Sequence, residues 1–259
     1  MYRPRIIPVL LIDGMQAVKT KQFGKPVNLG DPVNMVSIFN AFHVDELVVL
    51  DIGATRNGRG PDFSLIRDIA SEAQMPFSVG GGITDCKQIG SLLALGAEKV
   101  VISTAAIRNS ELISEAADNF GSSSITACLD VGRDWRGRQV VRVNSGKDIV
   151  KSGPLALGAW LQDQGAGEII VQSIDRDGMR EGYDMELLKP LAESLQVPVV
   201  ALGGAGSLDH LRDLYQATEV NALAAGSLFC FKGRGDGVLV NYPAPSELHT
   251  FSHLRSYSA

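Results

Sequence analysis

The 259-residue chain has few cysteines, few aromatic residues, no excess of basic charge and no long apolar run. Its three cysteines, Cys86, Cys128 and Cys230, have no pair spacing. That argues against a disulfide framework and suits a reducing cytoplasm. The four histidines, His43, His210, His249 and His253, show no HExxH or related ligand spacing, so no metal cage is expected. Lysine and arginine total 24 against 29 acidic residues, for a formal charge of -5. Without a basic stripe, nucleic acid is not expected as a partner. No apolar run reaches the roughly 18–20 residues that span a bilayer, so no membrane partner is expected either. The opening MYRPRIIPVLLIDGMQ is basic and then apolar, like a secretion signal. Its apolar part is too short and Asp13 closes it, so it reads as a first strand.

What is present is an ordinary globular composition, 45% hydrophobic and 20% charged. A chain of this length buries roughly 73% of its unfolded surface and needs no covalent staple. Short β-branched runs alternate with longer helical patterns. The strands are expected at 5–12, 46–52, 75–80, 98–103, 124–130, 168–174, 197–203 and 220–226. Helical stretches between them mostly open on Asp, Ser, Thr or Asn, and DPVNMVSIFNAF adds a proline in its first turn. Eight such units predict an α/β fold, a (β/α)8 barrel, as one domain over residues 1–259. A doubly wound open sheet would place a GxGxxG directly after the first strand, and none is there. No cofactor is therefore expected. After the fifth strand, VGRDWRGRQVVRV predicts a small ribbon over the barrel mouth, turning at Gly137. The tail from 232 to 259 is too rich in Gly and Pro for one long helix.

The chain repeats itself. Glu46, Asp62, Ala70, Gln74 and Pro76 each stand 122 residues before Glu168, Asp184, Ala192, Gln196 and Pro198. VGGG at 79–82 answers LGGA at 202–205, and EKVVISTAAI answers EVNALAAGSL at an offset of 121. Two half-barrels, about 1–122 and 123–231, are the expected plan.

Loops after the seventh and eighth strands of such barrels commonly hold phosphate. Here they are Gly203-Gly204-Ala205-Gly206 and Ala225-Gly226-Ser227, and their counterparts are Gly80-Gly81-Gly82 and Ser103-Thr104-Ala105. Glycine lets backbone N–H groups close on an anion. The matched pairs predict a substrate with a phosphate at each end. Carboxylates at strand C-termini fall in the mouth, which makes Asp130 a candidate acid or base and brings in Asp51. The Asp177-Gly178 turn is expected to serve the second phosphate through its backbone. Lys19, on what reads as a long loop after the first strand, is a candidate to close over an anion. Arg5, Glu46, Lys99 and Glu168 start strands, so they share the barrel floor. From position alone, a structural plug of ion pairs is the expected role.

RIIP (5–8), GDPV (30–33), DELVVLDI (45–52), PFSVGGGI (76–83), GAEKVVISTAA (96–106), GAGEIIVQSIDRDGMREGYD (165–184) and GGAG (203–206) together resemble the cyclase (HisF) subunit of imidazole glycerol phosphate synthase. The resemblance covers about residues 4 to 231. It implies a lyase-type synthase acting in histidine biosynthesis on a doubly phosphorylated ribotide. Ammonia would come from a separate HisH-type glutaminase docked on the floor, forming a glutamine amidotransferase. It also implies that Arg5, Glu46, Lys99 and Glu168 form the gate of an ammonia channel, in place of the plug. The family has two catalytic aspartates. Asp130 matches one, and Leu11 stands where the other belongs. Asp13 shares the face of position 11 but lies roughly 6 to 7 Å further along the strand. This departure, with the altered tail, resembles a divergent branch associated with surface-polysaccharide assembly. In that branch the ammonia goes into an amidino group on a sugar. Two alternatives stay open: a phosphoribosyl isomerase of the same superfamily, and a non-catalytic scaffold delivering ammonia to another enzyme.

Overall fold

Runs of Val, Ile, Leu and Ala that are buried on both faces form the inner wall of the molecule. The computed structural model describes residues 3–232 and 237–254. Eight parallel strands make the wall: β1 (Arg5–Asp13), β2 (Leu47–Asp51), β3 (Phe77–Gly80), β4 (Lys99–Ile102), β5 (Ile125–Arg133), β6 (Glu168–Ser173), β7 (Val199–Leu202) and β8 (Ala222–Ala225). Each pairs with the next, and β8 returns to β1 with Arg5 beside Ala222, so the sheet closes into a (β/α)8 barrel.

Seven helices of 9 or 10 residues ring the described wall: α1 (Pro32–Ala41), α2 (Phe63–Glu72), α3 (Cys86–Ala94), α4 (Leu112–Phe120), α5 (Pro154–Asp163), α6 (Met185–Ser194) and α7 (Leu208–Ala217). Asp31, Asp62, Asp85, Asp184 and Ser207 cap five of them, each side chain accepting from a first-turn amide. Side chains alternate along each strand, and this sorts the apolar residues into two groups. Ile6, Leu10, Val49, Val100, Ala127 and Ile169 join the main core under the helices. Ile7, Val9, Val48, Val101, Cys128, Ile170, Val200 and Leu202 pack against one another inside the barrel.

Three features depart from the expected pattern or add to it. Lys19 ends a strand rather than lying on a loop: Gln16–Lys19 folds back antiparallel on β1, with Leu11 beside Val18, and then pairs with Val27–Gly30. The ribbon after β5 is present. It begins as a continuation of β5 itself, with Asp130 opposite Arg142 in Gln139–Val143, and Asp148–Ile149 adds a third strand. Beyond β8, a short helix (Ser227–Cys230) leads to a two-stranded hairpin, Phe231–Lys232 with Gly237–Val238; a further short helix covers Pro245–His249. This segment packs where an eighth long helix would stand. The Tyr242 hydroxyl donates to the Ile6 carbonyl at 2.8 Å, and Phe251 meets Tyr215 at a tilt of 54° with ring centroids 6.5 Å apart. Residues 233–236 and 255–259 of the predicted tail lie outside the described residues.

Candidate functional site

A cavity of about 490 Å³ opens at the C-terminal ends of the strands, where the fold places reacting groups. Asp130, Lys19, Asp51, Gly81, Gly82, Ser103 and Thr104 line it, together with Asp177, Gly178, Gly203, Gly204, Ala225, Gly226 and Ser227. Four loops from distant parts of the sequence thus converge on one space.

The glycines are there for backbone reasons. Gly81 and Gly82 have φ of +110° and +71°, and Gly203 and Gly204 have +99° and +106°. All four lie in the region that L side chains rarely adopt. A Cβ on Gly81 would also strike the Asp51 carbonyl, and one on Gly204 would strike the Gly182 carbonyl. Gly226 stands against the Lys19 ammonium, which a Cβ there would push aside. Lys19 is buried, and its Nζ donates to the Val9 carbonyl at 2.7 Å. Its charge therefore sits beside the loop after β8, as an anion site there requires.

Asp130 ends the inward face of β5. Ser103 Oγ donates to its Oδ2 at 2.9 Å, and the Cys128 thiol donates to Oδ1 at 3.6 Å. Burial, helped by the nearby charge of Asp177, pushes the Asp130 carboxyl up to about 6 against these two hydrogen bonds. Near neutral pH it is mostly ionised and close to its midpoint, which suits a general base. Burial also raises Asp177, against hydrogen bonds from Thr20 (2.9 Å) and Gln172 (3.4 Å) and the charge of Lys19. In the Asp177-Gly178 turn the Asp177 amide donates to Ile174 and its carbonyl accepts from Gln22, and Gly178 lines the cavity beside it.

Two other predicted residues are occupied. Asp51 caps the short helix Ile52–Arg56 through the amides of Gly53 and Ala54, both at 3.0 Å. It also takes a two-pronged bond from Arg59 at 2.6 and 2.9 Å. With four donors on one carboxylate, Asp51 braces the mouth. Asp13 does not line the cavity, because Arg56 holds its carboxylate at 2.6 Å. Leu11 does line it, beside Leu50 on β2 and against the inner apolar group. Position 11 thus presents a hydrocarbon wall to the cavity, and the neighbouring aspartate is turned to another task. Sequence reasoning missed Arg56, Arg108 and Gln172, which line the cavity, and Arg59, which holds Asp51; the basic ATRNGRG after β2 was the available signal for Arg56 and Arg59.

At the opposite end of the barrel the four floor charges alternate in a ring. Arg5 bonds Glu46 through one guanidinium nitrogen and Glu168 through the other. Lys99 Nζ reaches Glu168 at 3.1 Å and Glu46 at 3.4 Å. Ser78 adds a donor to Glu46 at 3.1 Å. Burial works against the Arg5 charge, but Glu168 and Glu46 outweigh it and raise its pKa.

A family model described as Histidine biosynthesis protein matches residues 5–234. A provisionally named imidazole glycerol phosphate synthase subunit hisF2 of Pseudomonas aeruginosa is 43% identical over 249 residues, covering 96% of this chain and 99% of that protein. The chain belongs to the HisF family. A provisionally named subunit HisF of Leptospira interrogans is 43% identical over 244 residues, covering 94% of this chain and 96% of its own. A Bacillus cereus imidazole glycerol phosphate synthase subunit HisF is 40% identical over 232 residues, covering 88% and 91%. As a HisF family member the chain is of synthase type, and its barrel fold agrees with that membership. Among the described residues no helix is long and apolar enough to cross a membrane, and no group of His, Cys, Asp and Glu could hold a metal.

Proposed function

We propose that this protein is the ammonia-using subunit of a cytoplasmic, glutamine-dependent synthase. A HisH-type glutaminase docks on the floor and releases ammonia at the Arg5–Glu46–Lys99–Glu168 ring. The ammonia moves up the barrel to a doubly phosphorylated substrate in the mouth. One phosphate lies by Gly81, Gly82, Ser103 and Thr104, and the other by Gly203, Gly204, Gly226 and Ser227 with Lys19 beside it. Asp130 moves the proton. The single observation behind this reading is the pairing of a charged ring at one end of the lumen with the two-loop-pair cavity at the other. The repeated plan of residues 1–122 and 123–231 supports a substrate with two similar ends.

Leu11 favours the surface-polysaccharide branch over histidine synthesis. Cyclisation of the ribotide needs proton transfer at two places, and only Asp130 remains of the family's pair. Losing one positioned acid–base group costs about 10²–10⁴ in rate. An isomerase would have no use for the floor ring. Co-expression with the glutaminase should give a stable complex with raised glutaminase turnover. Cyclase assays with saturating ammonia, beside a homologue carrying both aspartates, should give weak turnover. No complex and no stimulation would refute the ammonia reading. Cyclase turnover within about tenfold of the homologue would return the chain to histidine synthesis.

A further inference from the structure

Three inward positions of β5 carry Thr126, Cys128 and Asp130. Ile125, Ala127, Leu129 and Val131 between them pack outward under the helices. Cys128 belongs to the inner apolar group, and Thr126, two residues earlier on the same strand, shares its face. Thr126 stands beside Glu168 of the floor ring on one side and Val101 on the other. It is 1% exposed, and its hydroxyl has no hydrogen-bond partner among the described residues. The other described buried side-chain atom in that condition, Gln139 Nε2, lies on the ribbon.

A buried hydroxyl without a partner is costly, and valine would fill the same volume without that cost. The surrounding inward positions are hydrocarbon: Ile7, Val9, Val48, Val101, Ile170 and Val200. Ser78, another buried hydroxyl on a barrel strand, is already bonded to Glu46. Four residues of strand, about 13 Å, separate Thr126 from Asp130. Among the described residues, Thr126 thus offers a small polar molecule leaving the ring a hydroxyl that no protein group engages, on the strand that carries Asp130.

We propose that Thr126 is a hydrogen-bonding station for ammonia inside the barrel, directing it up the β5 wall from the floor ring toward Asp130. The proposal rests on the ammonia-conducting reading above and adds the route. The Thr126 hydroxyl donates to the ammonia nitrogen or accepts one of its hydrogens. Cys128 continues the line, its thiol pointing at Asp130 Oδ1.

The test uses the full chain, alone and with its glutaminase. High-resolution crystal structures from ammonium-containing solution should show an ordered, ammonia-sized molecule bonded to Thr126 Oγ1. Thr126→Ser should retain it and Thr126→Val should lose it. In the complex, Thr126→Val should lower glutamine-dependent turnover about fivefold, the equivalent of one ordinary hydrogen bond. Turnover with free ammonium salt, which enters by the mouth, should not change, and Thr126→Ser should behave as the native chain. A lumen empty at Thr126, with the hydroxyl turned onto a strand carbonyl, would overturn the proposal. Equal losses with glutamine and with free ammonia would overturn it too, since they mark a structural role. An occupied Thr126 site in a chain that neither binds nor stimulates the glutaminase would refute the ammonia-conducting reading itself. The transit role would fall with it, and a hydration site would remain.

Discussion

Replacing Asp130 by asparagine should make the protein more stable while removing its activity, and only at the pH where the carboxylate is charged. The native carboxyl sits at about 6 against an ordinary 3.8, chiefly because burial resists its charge. A difference of about two units corresponds to roughly 3 kcal/mol. Asp130 faces a cavity rather than sealed core, so about 2 kcal/mol is the better expectation. The sign follows from which state binds the proton more tightly. Because the folded pKa is the higher one, the folded state holds the proton through the window from 3.8 to about 6, and stability falls as pH rises across it. Below that window both states are protonated and the cost vanishes. Asparagine has no proton to lose, and its carbonyl still accepts from Ser103. Urea unfolding should therefore show Asp130→Asn and the native chain equally stable near pH 3. Near pH 8 the variant should lead by about 2 kcal/mol, or about 4 °C in Tm, with an unchanged slope. An advantage of the same size at both pH values would refute the electrostatic account. A variant weaker at both would show that the Ser103 and Cys128 contacts matter more than the charge.

Four further outcomes follow from the geometry. If ionised Asp130 is the working base, kcat/KM on the true substrate should rise with pH and level off above about 6, and a flat profile between pH 5 and 7 would remove it from that role. Glu46→Gln leaves Lys99 and Arg5 facing one carboxylate, and it should destabilise by about 3 kcal/mol in denaturant titration and weaken glutamine-to-product coupling. Leu11→Asp restores a second carboxylate to the cavity and should raise cyclase turnover with free ammonia at least tenfold, provided Arg56 stays with Asp13. Gly204→Ala should lose about 1–3 kcal/mol through its φ of +106° and its collision with Gly182, and calorimetry should show weaker binding of phosphate-bearing ligands.

The barrel was readable because its strands are buried on both faces. Such strands leave continuous apolar runs, and all eight were placed to within about three residues of their observed ends. The folded-back pair Gln16–Lys19 and Val27–Gly30 was not readable. The second of these strands is almost wholly exposed, and pairing with β1 and Gln16–Lys19 holds the two in place where their own composition does not. The phosphate-loop glycines were legible because turns of that shape exclude other residues. Asp51 and Asp13 were ambiguous in sequence because their roles are set by Arg59 and Arg56, which reach them from the short helix Ile52–Arg56 and the turn behind it. The floor ring shows the same limit: four charges at strand starts say where they stand, and only the closed barrel shows that they alternate.

The clamp between Tyr242 and Ile6 sets an order of events during folding. The seam from β8 to β1 joins residues more than two hundred positions apart, Arg5 with Ala222 among them. The segment that covers this seam follows both strands in the sequence, and its tyrosine grips the main chain of the very first one. During synthesis, β1 must wait with one edge unpaired until nearly the whole chain has emerged. Exposed strand edges invite pairing with other chains. A ribosome stalled before β8 has emerged would therefore hold an open barrel with the edge of β1 bare. Chaperones that shield strand edges would find their best target at that point.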